Sequence, residues 1–178
     1  VSELQIFQQN LPAEPMTVNF DIFVKHQNDR VKMRSLIQQL EDELKQISDI
    51  QIQLETTHYF SKGLYTREIF IPKNTVLTGK IHLHENINIC SMGNITIVTE
   101  DGIKRIGAPF TSASRPGIKR VGFAHEDTVW TTVHATEKTD LKEIEEELFS
   151  EEFETVELAP QELKVQKTME GFLCQRQS

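Results

Sequence analysis

This chain of 178 residues is short of several things that would define a function on sight. It has two cysteines, Cys90 and Cys174, far apart and in no metal-ligand spacing. That excludes a disulfide framework or a zinc ribbon and reads as free thiols in a reducing compartment. No apolar run approaches the roughly 18 residues of a membrane span, and residues 1–10 lack a signal-peptide design. Basic charge is scarce: 19 Lys and Arg stand against 27 Asp and Glu, a net -8, which argues against a general binder of phosphate backbones. Much of the acid lies at 143–157, a charge run of the kind that forms a solvated face. No phosphate-binding glycine loop and no serine in a nucleophile elbow is present. The expectation is a protein of the cytoplasm in which it is made, with neither nucleic acid nor membrane as partner.

What is there divides into three parts. Residues 1–49 read as an N-terminal extension, 50–136 as a β-barrel and 137–178 as an acidic helix with a flexible tail. In the first part Pro12 and Pro15 break any helix, and the apolar burst at 18–24 reads as a short strand. Asn28 or Asp29 then caps a helix running to about Ser48. Its apolar residues Met33, Ile37, Leu40, Leu44 and Ile47 form a two-heptad seam, which either lies on its own domain or pairs with a second subunit. Candidate strands follow at 50–56, 66–71, 76–83, 86–91, 94–99, 103–106, 110–114, 119–124 and 128–135. Turn signals separate them, among them Lys62-Gly63, Met92-Gly93-Asn94, Glu100-Asp101-Gly102 and Arg115-Pro116-Gly117. So many short, evenly spaced strands predict a sandwich or barrel. Thr139-Asp140 caps a last helix that turns Leu141, Ile144 and Leu148 inward; beyond Phe153 the pattern is lost.

Within the β-rich part the stretch "GKIHLHENINICSMG" (79–93) stands out, because strand alternation would put His82 and His84 on one face. The order Gly79…His82-x-His84…Gly93, then Glu100-Asp101-Gly102 and Arg115-Pro116-Gly117, resembles the cupin superfamily over residues 58–136. More narrowly, "YTREIFIPKNTVLTGKIH" and "APFTSASRPGIKRVGFAHEDTVWTTVHAT" look like small cupin-like proteins of tailed bacteriophages, a likeness that carries no established activity. The resemblance implies a mainly β, cupin-like jelly-roll barrel flanked by an N-terminal helix and a C-terminal helix plus tail. In metal-binding cupins the first motif supplies two histidines and a glutamate, and the second a third histidine. Here His82 and His84 fall on the histidine places, Asn88 on the glutamate place and Arg120 on the third-histidine place.

Those departures set the chemistry. A divalent metal wants three or four donors, and a guanidinium stays protonated and repels it. His125 or His134 could restore a third nitrogen, His134 sharing a strand face with Thr132. The preferred expectation is a metal-free polar cavity in which His82, His84, Asn88, Arg120 and His134 meet a small anionic or sugar-like ligand. Affinity for an anion should then rise as pH falls through about 6.5, the ordinary histidine value. No cofactor is expected on this reading, and no catalytic residue is assigned. The reading is a non-enzymatic phage protein, a binding or virion-associated module, forming a homo-oligomer with a dimer favoured and meeting a phage structural or host protein. The alternatives are a metal-dependent cupin enzyme, isomerase or dioxygenase, with His82 and His84 as ligands, and a metal-free sugar-nucleotide enzyme with a histidine base. Core histidines without any ligand are the plain reading beside all of these. His125-Glu126-Asp127 reads as a turn held by a His–Asp hydrogen bond, and Trp130 and Tyr65 as core or interface aromatics.

Overall fold

The computed structural model describes residues 20–47 and 52–151, with the backbone of 5–8. Cys174 and most of the C-terminal tail lie outside the described residues. The elements are β1 (Gln5–Gln8), α1 (Asp21–His26), α2 (Arg30–Lys45), β2 (Thr56–Ser61), β3 (Leu64–Ile71), β4 (Thr75–Thr78) and β5 (Ile81–His82). They continue with β6 (Asn86–Met92), β7 (Asn94–Thr99), β8 (Gly102–Gly107), β9 (Phe110–Ser114), β10 (Val121–Ala124), β11 (Thr128–Ala135), α3 (Leu141–Leu148) and β12 (Phe149–Ser150).

One sheet has the order β1-β4-β10-β7-β8 and the other β2-β3-β11-β6-β9, with β5 and β12 forming a two-residue ladder between barrel and C-terminal helix. Setting aside the edge strands β1 and β2, the pairs are β3 with β11, β4 with β10, β6 with β9 and β7 with β8, all antiparallel. Each strand meets the one equally far from the other end of the series, the order produced by folding a long hairpin double and rolling it up. The protein is thus mainly β, a jelly-roll barrel with helical flanks. Two glycines permit tight points of the roll. Gly93 sits at φ 88°, where a side chain would run into the Asp127 carbonyl. Gly122 faces inward, and a Cβ there would stand 2.8 Å from Leu77 Cδ2.

Several expected elements move. The strand expected at 18–24 is replaced, over its described residues, by the approach to α1 and its first turn. Phe20 and Phe23, three apart, share the core beneath α2 with Phe123. Residues 52–55 are irregular and the strand starts at Thr56. The run at 76–83 is split into β4 and β5 around Gly79, whose N–H donates to the Arg120 carbonyl at 2.9 Å. The chain expected to enter a strand at 119 joins β10 only at Val121.

Helix α2 starts at Asp29, whose carboxylate accepts the Lys32 N–H. Met33, Leu36, Ile37 and Leu44 pack on Val76, Val98 and Val121 of the first sheet. Ile47 stays 37% exposed and Leu36 joins the buried stripe instead, so the face follows the 3.6-residue period of a helix lying on its own barrel. Helix α3 is capped by Asp140, which accepts from the Lys142 and Glu143 N–H groups, and buries Ile144 and Leu148 beside Tyr65 and Phe149.

Two buried carboxylates fasten α2 to the barrel. Glu100, in the β7–β8 turn, accepts from Arg30 and Arg34 of α2 and from Arg115 at 2.6 Å. Glu41 of α2 accepts from Lys119, and from the Thr78 hydroxyl at 3.4 Å. Burial alone would raise the Glu100 carboxyl, but the hydrogen bonds from Arg115, Arg34 and Arg30 outweigh it and hold it below its ordinary 4.5. Its stabilisation is therefore complete above pH 4.5 and is lost as pH falls toward its folded value. Glu100→Gln should cost about 2 kcal/mol at pH 7, at the low side because its arginines keep contact with water, and should flatten the acid end of a stability profile. Urea unfolding of both proteins from pH 7 to pH 3 checks this; parallel profiles would contradict it.

Candidate binding site in the barrel

Strand alternation delivers the interior side chains. On β3 the inward face carries Arg67, Ile69 and Ile71; on β11 it carries Trp130, Thr132 and His134. Thr132 stands opposite Arg67 on one side and Asn88 on the other, and His134 opposite Tyr65 and Asn86. Across the barrel, Leu77, Ile95, Ile97, Gly122 and Arg120 complete a cavity of about 80 Å³. The register makes it two-natured. Ile69, Ile71, Leu77, Ile95, Ile97 and Trp130 line an apolar half, while Arg67, Arg120, Asn88, Thr132, His82 and His134 line a polar one.

His82 reaches this polar half because β5 pairs with β12, Phe149 lying opposite it. Its ring stacks on His134 at 5.1 Å between centroids, and Phe149 meets the two imidazoles edge-on at 5.1 and 5.3 Å. His84 does not share that face. The strand ends at His82, the Leu83 N–H turns to the Leu148 carbonyl at 2.9 Å, and His84 is exposed on the bend outside the cavity lining. Alternation needs a continuing strand, and here there is none. The carbonyl of His84 accepts from Asn86 Nδ2 at 3.2 Å, and Asn86 Oδ1 accepts from Asn88 Nδ2 at 2.8 Å. This chain orients both amides and leaves Asn88 Oδ1 buried without a donor among the described residues. His82 Nδ1 and both ring nitrogens of His134 are likewise unmatched there.

Three cations line the cavity, Arg67, Lys80 and Arg120, and no carboxylate does. Lys80 is answered by Glu145 at 2.7 Å and Glu151 at 3.1 Å. Arg120 donates to the Ser114 hydroxyl, and among the described residues neither it nor Arg67 joins an ion pair. Burial lowers the Arg120 guanidinium to about 10 and lowers Arg67 as well, which leaves both charged at neutral pH. Burial, then the guanidiniums, drives His134 down to about 4; burial, then Arg120, His134 and Arg67, puts His82 well below 6.5. Both imidazoles are neutral at pH 7, so their titration falls well below the 6.5 expected from sequence.

This donor set does not fit a divalent metal. Two neutral imidazoles and an amide face two guanidiniums, with no anionic ligand, and among the described residues no three His, Cys, Asp or Glu come together. His125 lies elsewhere, its Nε2 2.7 Å from the Thr96 hydroxyl, while Asp127 accepts the Lys73 N–H at 2.8 Å. The expected His–Asp bond is replaced by these separate contacts, because the two side chains leave the turn in different directions. Trp130 is core, and Tyr65 is buried with its hydroxyl 2.8 Å from His58 Nδ1. Arg67 was not anticipated. Its signal is in "YTREIFI", where alternation puts an arginine in line with Tyr65, Ile69 and Ile71 on the apolar face. Phe149 comes from the β5–β12 ladder, which no local pattern announces, and Lys80 from the residue just before it.

No family model matches the chain, and no curated protein matches it. The solved structures similar in fold include proteins named as cupins. Those structures also include an acetylacetone dioxygenase from Acinetobacter johnsonii, 13% identical over 47% of this chain and 60% of that one, with a TM-score of 0.41. An RmlC-like cupin from Shewanella frigidimarina is 14% identical over 46% of this chain and 75% of its own, TM-score 0.41. A cupin-2 domain protein from the same organism is 10% identical over 52% and 90%, TM-score 0.40. The chain thus spans 60% of the dioxygenase chain. Likeness at this level passes no activity, ligand or metal to this protein.

An unpaired interior charge is a burden on the empty fold. Arg120→Met should stabilise the ligand-free protein by about 1–3 kcal/mol, because it exchanges a desolvated cation for an apolar chain of similar length. Denaturant unfolding in a buffer free of polyvalent anions measures it; a destabilisation of similar size would show that the charge is already compensated.

Proposed function

We propose that this barrel is a binding module for a small organic anion, held in the interior by Arg67 and Arg120. The observation that carries the reading is the pair of half-buried guanidiniums in a cavity whose lining, among the described residues, holds no carboxylate. A desolvated arginine gains most from a carboxylate or phosphate that meets its planar fork, and such an anion supplies the missing counter-charge. Asn88 and the His82–His134 pair add neutral donors and acceptors beside it. His84, outside the lining, has no part in this reading. The donor set supports binding rather than metal-dependent catalysis. The phage setting, as a virion-associated part or one that meets a host protein, rests on the sequence strings at 65–82 and 108–136. A homo-oligomer goes with it; apolar Phe70, Ile87 and Met92 stay exposed on the second sheet, on the face turned away from the cavity.

Inorganic phosphate, sulfate and short carboxylates should raise the melting temperature of the wild type by mass action. Arg120→Met and Arg67→Leu should each lose roughly 2–5 kcal/mol of that binding. Protonated imidazoles favour a bound anion, so affinity for sulfate, whose charge is constant over this range, should be level between pH 8 and pH 6.5 and climb only as pH falls toward the His134 value of about 4. Thermal shifts across this range test both points. No stabilisation by any anion, or stabilisation of both variants equal to that of the wild type, would leave the histidines and arginines as core residues.

A further inference from the structure

A second hollow, of about 350 Å³, opens beside the first between β8 and β9. Four residues line both: Asn88, Ile97, Arg120 and Trp130. The inner chamber therefore adjoins a larger outer one, whose lining also holds Lys104 and the carboxylate Asp101, itself paired with Arg115. Its 80 Å³ suits an anionic head of a few atoms, and the outer chamber has room for a body. That body would run past Ile97 and Phe110 and meet the hydroxyls of Thr99 and Ser112.

Asn88 stands at the junction and is 1% exposed. The His84–Asn86–Asn88 chain uses its Nδ2, so its unmatched Oδ1 is an acceptor. It is closed off from water as the side chains stand, so a small side-chain shift must open it to any partner. A ligand that meets it with a C–H leaves a buried acceptor bare, whereas one that presents an O–H satisfies it. We propose that the ligand is a hydroxylated acid, with its charged head between Arg67 and Arg120, a hydroxyl next to that head on Asn88 Oδ1, and a further hydroxylated body in the outer chamber. This rests on the anion-binding reading and narrows it: sugar acids and sugar phosphates share the required chemistry, and bare fatty or alicyclic acids lack it.

Isothermal titration of the full chain tests it. The probes are D-gluconate, D-glucuronate and glucose 6-phosphate; hexanoate and cyclohexanecarboxylate as matched acids without hydroxyls; and acetate and inorganic phosphate as heads alone. The hydroxylated carboxylates should bind at least about tenfold tighter than the matched acids, because a site built around a hydrogen bond rejects an analogue that cannot make it. The glucose 6-phosphate arm decides between a carboxylate and a phosphate head. In Asn88→Leu the advantage should collapse, so that hydroxylated and bare acids bind with equal affinity. Ser112→Ala, a smaller change on a half-buried residue, should reduce it by about threefold and decides the matter should Asn88→Leu fail to fold. Equal affinity for hydroxylated and bare acids, or an advantage untouched in the variants that fold, overturns this inference and leaves anion binding standing. If neither heads nor acids bind, the anion reading falls and takes this one with it.

Discussion

Two half-buried guanidiniums inside a barrel, neither in an ion pair among the described residues, are the constraint around which the rest of this structure makes sense. Removing a cation from water costs several kcal/mol unless something meets it. The cost is visible in the lowered Arg67 and Arg120 values and in the two imidazoles beside them, which stay neutral. A purely structural interior would do better with the apolar packing found in the other half of the same cavity, where Ile69, Ile71, Leu77 and Ile95 line the wall. Within one barrel, apolar burial supplies stability and the polar half spends some of it.

The scaffold around Arg120 shows how such a residue is kept in place. Lys119 and Arg120 are neighbours leading into β10 and point to opposite sides. Lys119 is buried against Glu41 of α2 on the outside of the sheet, which directs Arg120 to the inside, where Ser114 accepts from it. Arg115, at the start of the same loop, is tied to Glu100 and Asp101, and Glu100 is tied in turn to Arg30 and Arg34 of α2. The helix outside the barrel thus sets the geometry of a cation inside it. A network of this kind is a stronger argument for a fixed side-chain direction than any one of its ion pairs is for stability.

Much of this was legible in the sequence, for identifiable reasons. The strands at 94–99, 110–114 and 128–135 lie where alternation and turn residues put them, because those signals are local. Both helix caps, Asp29 and Asp140, were readable as short polar side chains before amphipathic runs. Four of the five candidate site residues, His82, Asn88, Arg120 and His134, line one cavity. The fifth, His84, lies outside that lining because a strand's end depends on what pairs with it. β5 has only the two residues of β12 as partner, and those come from more than sixty positions further along the chain. The same long-range ladder brings Phe149 over the histidines. The descent of the histidine values was also hidden, since it depends on burial and on Arg67, an arginine whose inward direction is plain only once β3 is known to be half-buried.

The most direct test of the central claim is to watch the arginine side chains themselves. In a ¹⁵N NMR titration with inorganic phosphate, the Nε–H signals assigned by Arg67→Leu and Arg120→Met should move together and saturate. Those of Arg30, Arg34 and Arg115, already engaged by Glu100, should stay in place. Signals of Arg67 and Arg120 that remain still while exposed surface groups respond would contradict the account, and the barrel interior would then be a polar core with no ligand to receive.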